Sequence, residues 1–234
     1  MITTVLFDLD GTLLPMDQDR FIKAYLGRMA KKLAPYGYEP DSLTKAIWTG
    51  TGAMVKNDGT KTNEEVFWSV FNSVMGRDCR QDEALFLEYY QNEFQLVAQD
   101  CGFAPEAAEV ISLLRERNIQ VVLATNPLFP AIATQSRAKW AGLQPENFKI
   151  ITTYENSRHS KPNPDYYRDI LATLQVLPEN CLMVGNDVQE DMVAETLGMQ
   201  VFLLTDCLIN RTGEDISRFP HGGFQELITY IQEL

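Results

Sequence analysis

From residue 105 onward, short β-rich apolar runs alternate with segments of helical spacing, and this alternation constrains the fold more than any other feature of the chain. Pro105 to Arg117 reads as a helix opened by proline, where the missing N–H costs nothing. "IQVVLAT" (119–125) reads as a strand, Pro130 to Trp140 as a helix, and "FKIITT" (148–153) as a strand. Pro164 to Leu174 is helical, "CLMVGND" (181–187) a strand, and Gln189 to about Leu197 a helix. "QVFLLT" (200–205) is a further strand, with a last helix from near Phe224. Strands that alternate with helices in this way imply a parallel sheet covered on both faces.

Residues 2–8 form one more continuous apolar run and need the same two-sided burial, so they belong to that sheet. The next stretch of chain differs in kind. Phe21, Ile22, Tyr25, Leu26, Met29 and Leu33 recur at helical spacing. So do Val66, Phe67, Val70, Phe71 and Val74, and again Phe86, Tyr89, Tyr90 and Phe94. Residues 17–99 are therefore expected to be an inserted, all-helical segment of roughly four helices. The core is then discontinuous, 1–16 together with 100–234.

The chain has 234 residues, 45% hydrophobic and 22% charged, enough for a real core with one sizeable insertion. Its net charge of −12 repels phosphate backbones, which argues against a nucleic-acid partner. An anionic ligand must instead be drawn in locally, by a metal or by a few placed cations. No apolar stretch approaches a membrane span, and the N-terminus lacks the basic region of a signal peptide. Cys79, Cys101, Cys181 and Cys207 are scattered without a CxxC, and His159 and His221 are the only histidines, so zinc is not expected. Reduced cysteines and a cytoplasmic protein, monomer or homodimer, are the expectation.

The first strand ends in "DLDGTL" (8–13). Residues i and i+2 of a strand share a face, so Asp8 and Asp10 project together while Leu9 turns away. Ligands of open α/β sheets bind at this carboxyl end. Two close carboxylates repel unless a cation lies between them, and Mg²⁺ suits a set of hard oxygen donors. Gly11 permits a sharp turn, and its amide and Thr12 are candidate donors to an oxyanion. A calcium-binding EF-hand loop does not fit. Counted from Asp8, its acidic fifth position is Thr12, its glycine position Leu13 and its final glutamate Asp19.

Other strand ends supply further polar groups. The second strand ends on Thr125 and Asn126, "RHSKPNPDYY" places Lys161 in a loop before a helix, and "LMVGNDVQEDM" carries Asp187 with Asp191 four residues on. Singly these are weak signals. Together they can converge on one crevice, in the order DxD, Thr, Lys, DxxxD. That order, with the helical insertion after the first element, resembles the haloacid dehalogenase (HAD) superfamily over essentially the whole chain.

The resemblance implies an α/β fold with a Rossmann-like doubly wound core and an α-helical cap of the C1 type. It implies that Asp8 is a nucleophile forming an aspartyl-phosphate and Asp10 a general acid/base. By the same resemblance Thr125 and Lys161 bind phosphate, with Asn126 and the Gly11 amide as further candidate phosphate contacts. Asp8, the Asp10 carbonyl and Asp187 would hold Mg²⁺, and Asp191 would be an auxiliary acid near the metal or paired with Lys161. Family members commonly read Gly-Asp where this chain has Gly185-Asn186-Asp187. Asn186 and Asp187 therefore compete for the ligand position, and Asp187 is favoured because a carboxylate offsets Mg²⁺ charge. Dehalogenases of this fold lack the acid two residues after the nucleophile, so Asp10 favours phosphoryl chemistry. A Mg²⁺-dependent phosphatase acting on a small phosphorylated metabolite is expected. The alternatives are a sugar phosphomutase, a phosphonate hydrolase using Lys56, and a non-catalytic phosphate- or partner-binding protein.

Within the insertion, "WTGTGAMVKNDGT" (48–60) is expected to be a glycine-containing loop, with Trp48, Lys56 and Asn57 as candidate specificity contacts. Phe67, Trp68 and Tyr89 read as packing residues, and His159 and His221 as bystanders. Phe129, between Pro127 and Pro130, is placed to shape a pocket mouth.

Overall fold

A computed structural model describes residues 1–234. Six parallel strands form one sheet in the order β3-β2-β1-β4-β5-β6. They are β1 (Thr4–Phe7), β2 (Gln120–Leu123), β3 (Ile150–Ile151), β4 (Cys181–Gly185), β5 (Gln200–Leu204) and β6 (His221–Gly222). The central strand β1 pairs Phe7 with Leu123 of β2 and with Val184 of β4. The chain thus leaves β1 toward one side for β2 and later returns to its other side with β4. The carboxyl ends of β1 and β4 flank the switch point where such sheets bind ligands.

Alternation along β1 sorts its side chains between two cores. Val5 and Phe7 join a large cluster with α5 (Pro105–Glu116), α6 (Ala131–Trp140) and α8 (Phe224–Gln232). Leu6 faces the opposite layer, built from Tyr166, Tyr167 and Ile170 of α7 (Pro164–Leu174) with Met192 and Ala194. The segment expected to be a helix from Gln189 forms turns and then a 3₁₀ helix, Met192–Leu197. The two-residue β6 has too little apolar character to stand out in sequence.

Between β1 and β2 lie α1 (Gln18–Leu33), α2 (Pro40–Val55), α3 (Asn63–Met75), α4 (Glu83–Gln91) and the 3₁₀ turns Glu93–Asp100. Sequence sets these limits locally. Asp17 caps α1, Glu39 caps α2, and Thr62 with Glu65 forms a capping box on α3. The segments entering and leaving the insertion meet where Met16 bridges Cys101 and the Gly102 N–H donates to the Pro15 carbonyl at 2.7 Å. Aromatic contacts tie the insertion to the sheet layer: Tyr25 packs edge-on against Phe129 at 5.4 Å, and Phe94 lies tilted against Trp140 at 4.9 Å.

One expectation is overturned. Residues 48–55 are not loop but the second half of α2, which ends at Val55. Gly50 lies in that helix because α3 comes close: a Cβ there would sit 2.7 Å from the Phe67 ring. Close helix approach explains the glycine, and tertiary packing overrides its poor helix propensity.

Candidate active site

Asp8 continues the ladder past β1, its N–H donating to the Val184 carbonyl at 2.9 Å, and its side chain is buried at the sheet's carboxyl edge. Gly11 follows with φ +88°, and a Cβ at that position would collide with the Asn186 side chain. The turn is knit by Thr12, whose hydroxyl bonds Asn186 Oδ1 at 2.9 Å and lies 3.3 Å from Asp8 Oδ2.

Two expected oxyanion donors are spent on this turn. The Gly11 N–H donates to the Leu14 carbonyl at 2.8 Å, and the Thr12 N–H to that of Leu9 at 3.1 Å. A turn this tight satisfies its own amides. The N–H groups of Leu9 and Asp10, in contrast, donate to no protein acceptor.

Lys161 is 1% exposed, and its ammonium donates to Asp8 Oδ1 at 2.9 Å and Asp191 Oδ1 at 2.6 Å. Burial works against its charge, but Asp191 and Asp8 outweigh it and hold its pKa well above the usual lysine value. Burial in turn raises the pKa of Asp191, against the pull of Lys161. Asp191 comes this near because position 185 is glycine, where a Cβ would overlap its carboxylate. Asn126 orients the lysine loop. Its Oδ1 accepts from the Lys161 N–H at 3.2 Å, and its Nδ2 donates to Glu190 Oε2 at 2.9 Å. The Thr125 side chain is buried on the wall, and its hydroxyl makes no hydrogen bond to protein.

Both amide atoms of Asn186 hold the scaffold, Oδ1 accepting from Thr12 and Nδ2 donating to the Cys207 carbonyl at 2.7 Å. Asp187 accepts two backbone N–H groups on Oδ1, from Gln189 and Glu190, both at 3.0 Å, and pairs with Arg211 through Oδ2.

Asp10 has a partner that the sequence reading missed. Arg137, fully buried on α6, donates to Asp10 Oδ2 and lies 4.2 Å over the Phe129 ring. A signal existed: residues 133, 137 and 141 share one helix face, and Ala133 and Ala141 are core positions. A cation between them must be paired. Burial raises the Asp10 pKa, with Arg137 opposing and Asp8 reinforcing the shift. Asp10 Oδ1 is buried without a hydrogen-bond partner. Glu190, also unanticipated, lines the same space, and burial raises its pKa.

These groups floor a cavity of about 560 Å³ between the sheet edge and the helical insertion. Asp8, Asp10, Thr125, Asn126, Asp187 and Asp191 all line it; Lys161 lies behind Asp8. Trp48 and Phe129 also line it, as do Phe67 and Trp68, which were expected only to pack. Lys56 is exposed outside it, and Asn57 is buried in bonds to Asn63 and the Lys61 carbonyl. Tyr89 is core, its hydroxyl on the Tyr25 carbonyl. His159 pairs with Asp169 at 2.7 Å and His221 with the Phe219 carbonyl at 2.8 Å, both away from the cavity.

Nowhere do three or more His, Cys, Asp or Glu side chains converge closely enough to hold an ion by themselves. One or two carboxylates completed by water and phosphate oxygens suffice for a hard divalent ion such as Mg²⁺. The donors here are all hard oxygens, and the unpartnered Asp10 Oδ1 marks an unmet electrostatic demand beside Asp8.

Comparison with known proteins agrees with the geometry. A phosphoglycolate phosphatase of Colwellia psychrerythraea is 23% identical over 92% of this chain and 88% of its own. A ribulose-1,5-bisphosphate 5-phosphatase of Halopiger xanaduensis is 24% identical over 87% and 84%. The crystal structure of a HAD phosphatase from Thermococcus onnurineus superposes with a TM-score of 0.59 at 19% identity, covering 98% of each chain. The family model for haloacid dehalogenase-like hydrolases matches residues 2–194. With the DxD strand end, the buried lysine and the parallel sheet in place, this chain belongs to the haloacid dehalogenase-like hydrolases.

Proposed function

We propose that the protein is a Mg²⁺-dependent phosphatase that hydrolyses a small phosphomonoester through an aspartyl-phosphate on Asp8. The observation that carries this reading is the pairing of two carboxylates at one strand end with two different buried cations, Asp8 with Lys161 and Asp10 with Arg137. Such pairing gives neighbouring aspartates unlike environments, and unlike environments give unlike roles. Phosphatase activity among relatives that differ in their named substrates supports the class without selecting a substrate. In the same reading residues 1–16 and 100–234 are the catalytic core and 17–99 the cap.

Asp8, Asp187 and the Asp10 carbonyl would hold Mg²⁺, with Asn186 fixing the loop beside them. Bound there, the ion supplies charge neutralisation for the phosphoryl oxygens. The Asp8 carboxylate, oriented by Lys161, attacks phosphorus in line. The Thr125 hydroxyl and the Leu9 and Asp10 amides are the uncommitted donors for the equatorial oxygens. Asp10, its pKa raised by burial, gives a proton to the leaving oxygen and then takes one from the water that cleaves the acyl phosphate. The absence of this second acid in dehalogenases of the fold favours phosphoryl over haloacid substrates.

The test is p-nitrophenyl phosphate hydrolysis with Mg²⁺, with EDTA, and with Asp8→Asn. Expected is a loss of at least about 10³-fold on chelation or substitution, with Mg²⁺ restoring the chelated wild type. Undiminished turnover by Asp8→Asn would remove Asp8 as nucleophile.

A further inference from the structure

We propose that the substrate's leaving group is bulky, uncharged and apolar, an aryl or long alkyl alcohol. This rests on the phosphatase reading and adds the substrate class to it. The polar floor of the cavity accounts for the phosphoryl end. The opposite wall comes from α1 to α4 and has another character. Phe21, Tyr25, Trp48, Phe67, Trp68, Phe86 and Tyr90 are its aromatic members, filled in by aliphatic residues of the same helices. Trp48, Val55 and Leu87 are 49%, 39% and 45% exposed, and all three face this one space. Large apolar side chains gathered around one concavity are what a ligand's apolar surface covers.

The wall lacks what other substrates need. A second phosphate or a carboxylate needs a cation, and no lysine or arginine of the insertion lines the cavity. Arg211 is the one basic residue that lines it, and it belongs to the floor, beside Asp187 and Glu190, rather than to the helical wall. Glu83, Glu155 and Glu190 add negative charge instead. A sugar needs several convergent donors and acceptors, whereas Gln18, Thr51 and Glu83 are the wall's few polar residues besides the Tyr25 and Tyr90 hydroxyls, which are bonded to each other at 3.0 Å. Trp68 Nε1 on the same wall is buried, with the Tyr154 hydroxyl as its neighbour. At about 560 Å³ the space suits a ligand far larger than a two-carbon acid.

The experiment compares kcat/KM for butyl, hexyl and octyl phosphate, whose leaving groups are nearly equal in acidity, with phosphoglycolate and ribose 5-phosphate. In parallel, calorimetry reads the binding of butyl- and octylphosphonate, which cannot be hydrolysed. Expected is a rise of about two- to fourfold per methylene, so at least about tenfold from butyl to octyl, in both kcat/KM and affinity. Octylphosphonate should bind with the more negative heat-capacity change. Trp48→Arg, at a half-exposed position that tolerates charge, should reduce the octyl-to-phosphoglycolate preference by at least about tenfold. A flat alkyl series, or phosphoglycolate or ribose 5-phosphate as the best ester, would overturn the apolar assignment and leave the phosphatase reading standing. If no ester turns over, the phosphatase reading fails, and the phosphonates still judge the cavity: affinity independent of chain length would overturn the proposal.

Discussion

Arg137 and Asp10 are a buried ion pair between a core helix and the strand end. Such pairs are weak net stabilisers, but removing one partner strands the other, at about 3–5 kcal/mol. Arg137→Met is therefore expected to lose about that much stability in urea unfolding, and most of its activity through a misplaced Asp10. Combining it with Asp10→Asn should recover a large part of the stability and none of the activity. Strict additivity of the two losses would mean that the pair is not coupled. This partnership also shows what single-residue reading can and cannot reach. Asp8, Asp10, Thr125, Asn126, Asp187 and Asp191 share one cavity with Lys161 behind Asp8, because each ends a strand or opens the following loop, and strand ends are legible from apolar runs. Arg137 comes from the middle of a helix, and its place on the buried face is the one sign of it in the sequence. Gly11 was legible as a turn residue, but its N–H is committed to Leu14, a detail of turn closure that residue identity does not encode.

At the scale of elements, α2 shows how packing overrides local propensity. Four residues of its second half, Thr49 to Gly52, are weak helix formers and read as loop. The two glycines do different things. Gly50 gives α3 room to approach, whereas Gly52 faces open space with nothing within 4 Å of an added Cβ. Gly52→Ala should thus stabilise the fold by about 0.5–1 kcal/mol, through helix propensity alone. Gly50→Val should destabilise it by about 1–3 kcal/mol by driving into Phe67. Chemical denaturation of both variants reads this out, and a stabilised Gly50→Val would show that α2 and α3 do not pack as described. The remaining elements obey rules visible in sequence: proline-opened α5 and α7, the Thr62–Glu65 box, and β-rich runs for β2, β4 and β5. The short β3 lies within the apolar run 148–153 read as a strand, though only Ile150 and Ile151 pair, whereas β6 is set by pairing with an existing edge, which no local pattern announces.

Over the whole molecule, two bodies divide the work. The sheet edge supplies a polar floor that many phosphate esters could use, and the helical insertion supplies a wall that few could. The strand and helix alternation made the first body readable, since parallel strands bring their ends to one side. The wall was not readable, because its residues lie on four helices, and the same aromatic spacing serves cap packing at Tyr89 and the cavity at Tyr90. Only assembly separates the two uses. No helix of the chain is long and apolar enough to cross a membrane, and the net charge of −12 leaves Lys161, Arg137 and Arg211 as the cations around the site. The central claim, that Asp8 carries the phosphoryl group, is tested most directly by rapid acid quench of enzyme turning over an excess of ester with Mg²⁺. The quenched enzyme is reduced with borohydride and mapped by peptide mass, because an aspartyl-phosphate is reduced to homoserine while free aspartate is not. Expected is homoserine at position 8 alone, absent without substrate. Phosphate release with Asp8 unmodified, or with the modification at another residue, would contradict it.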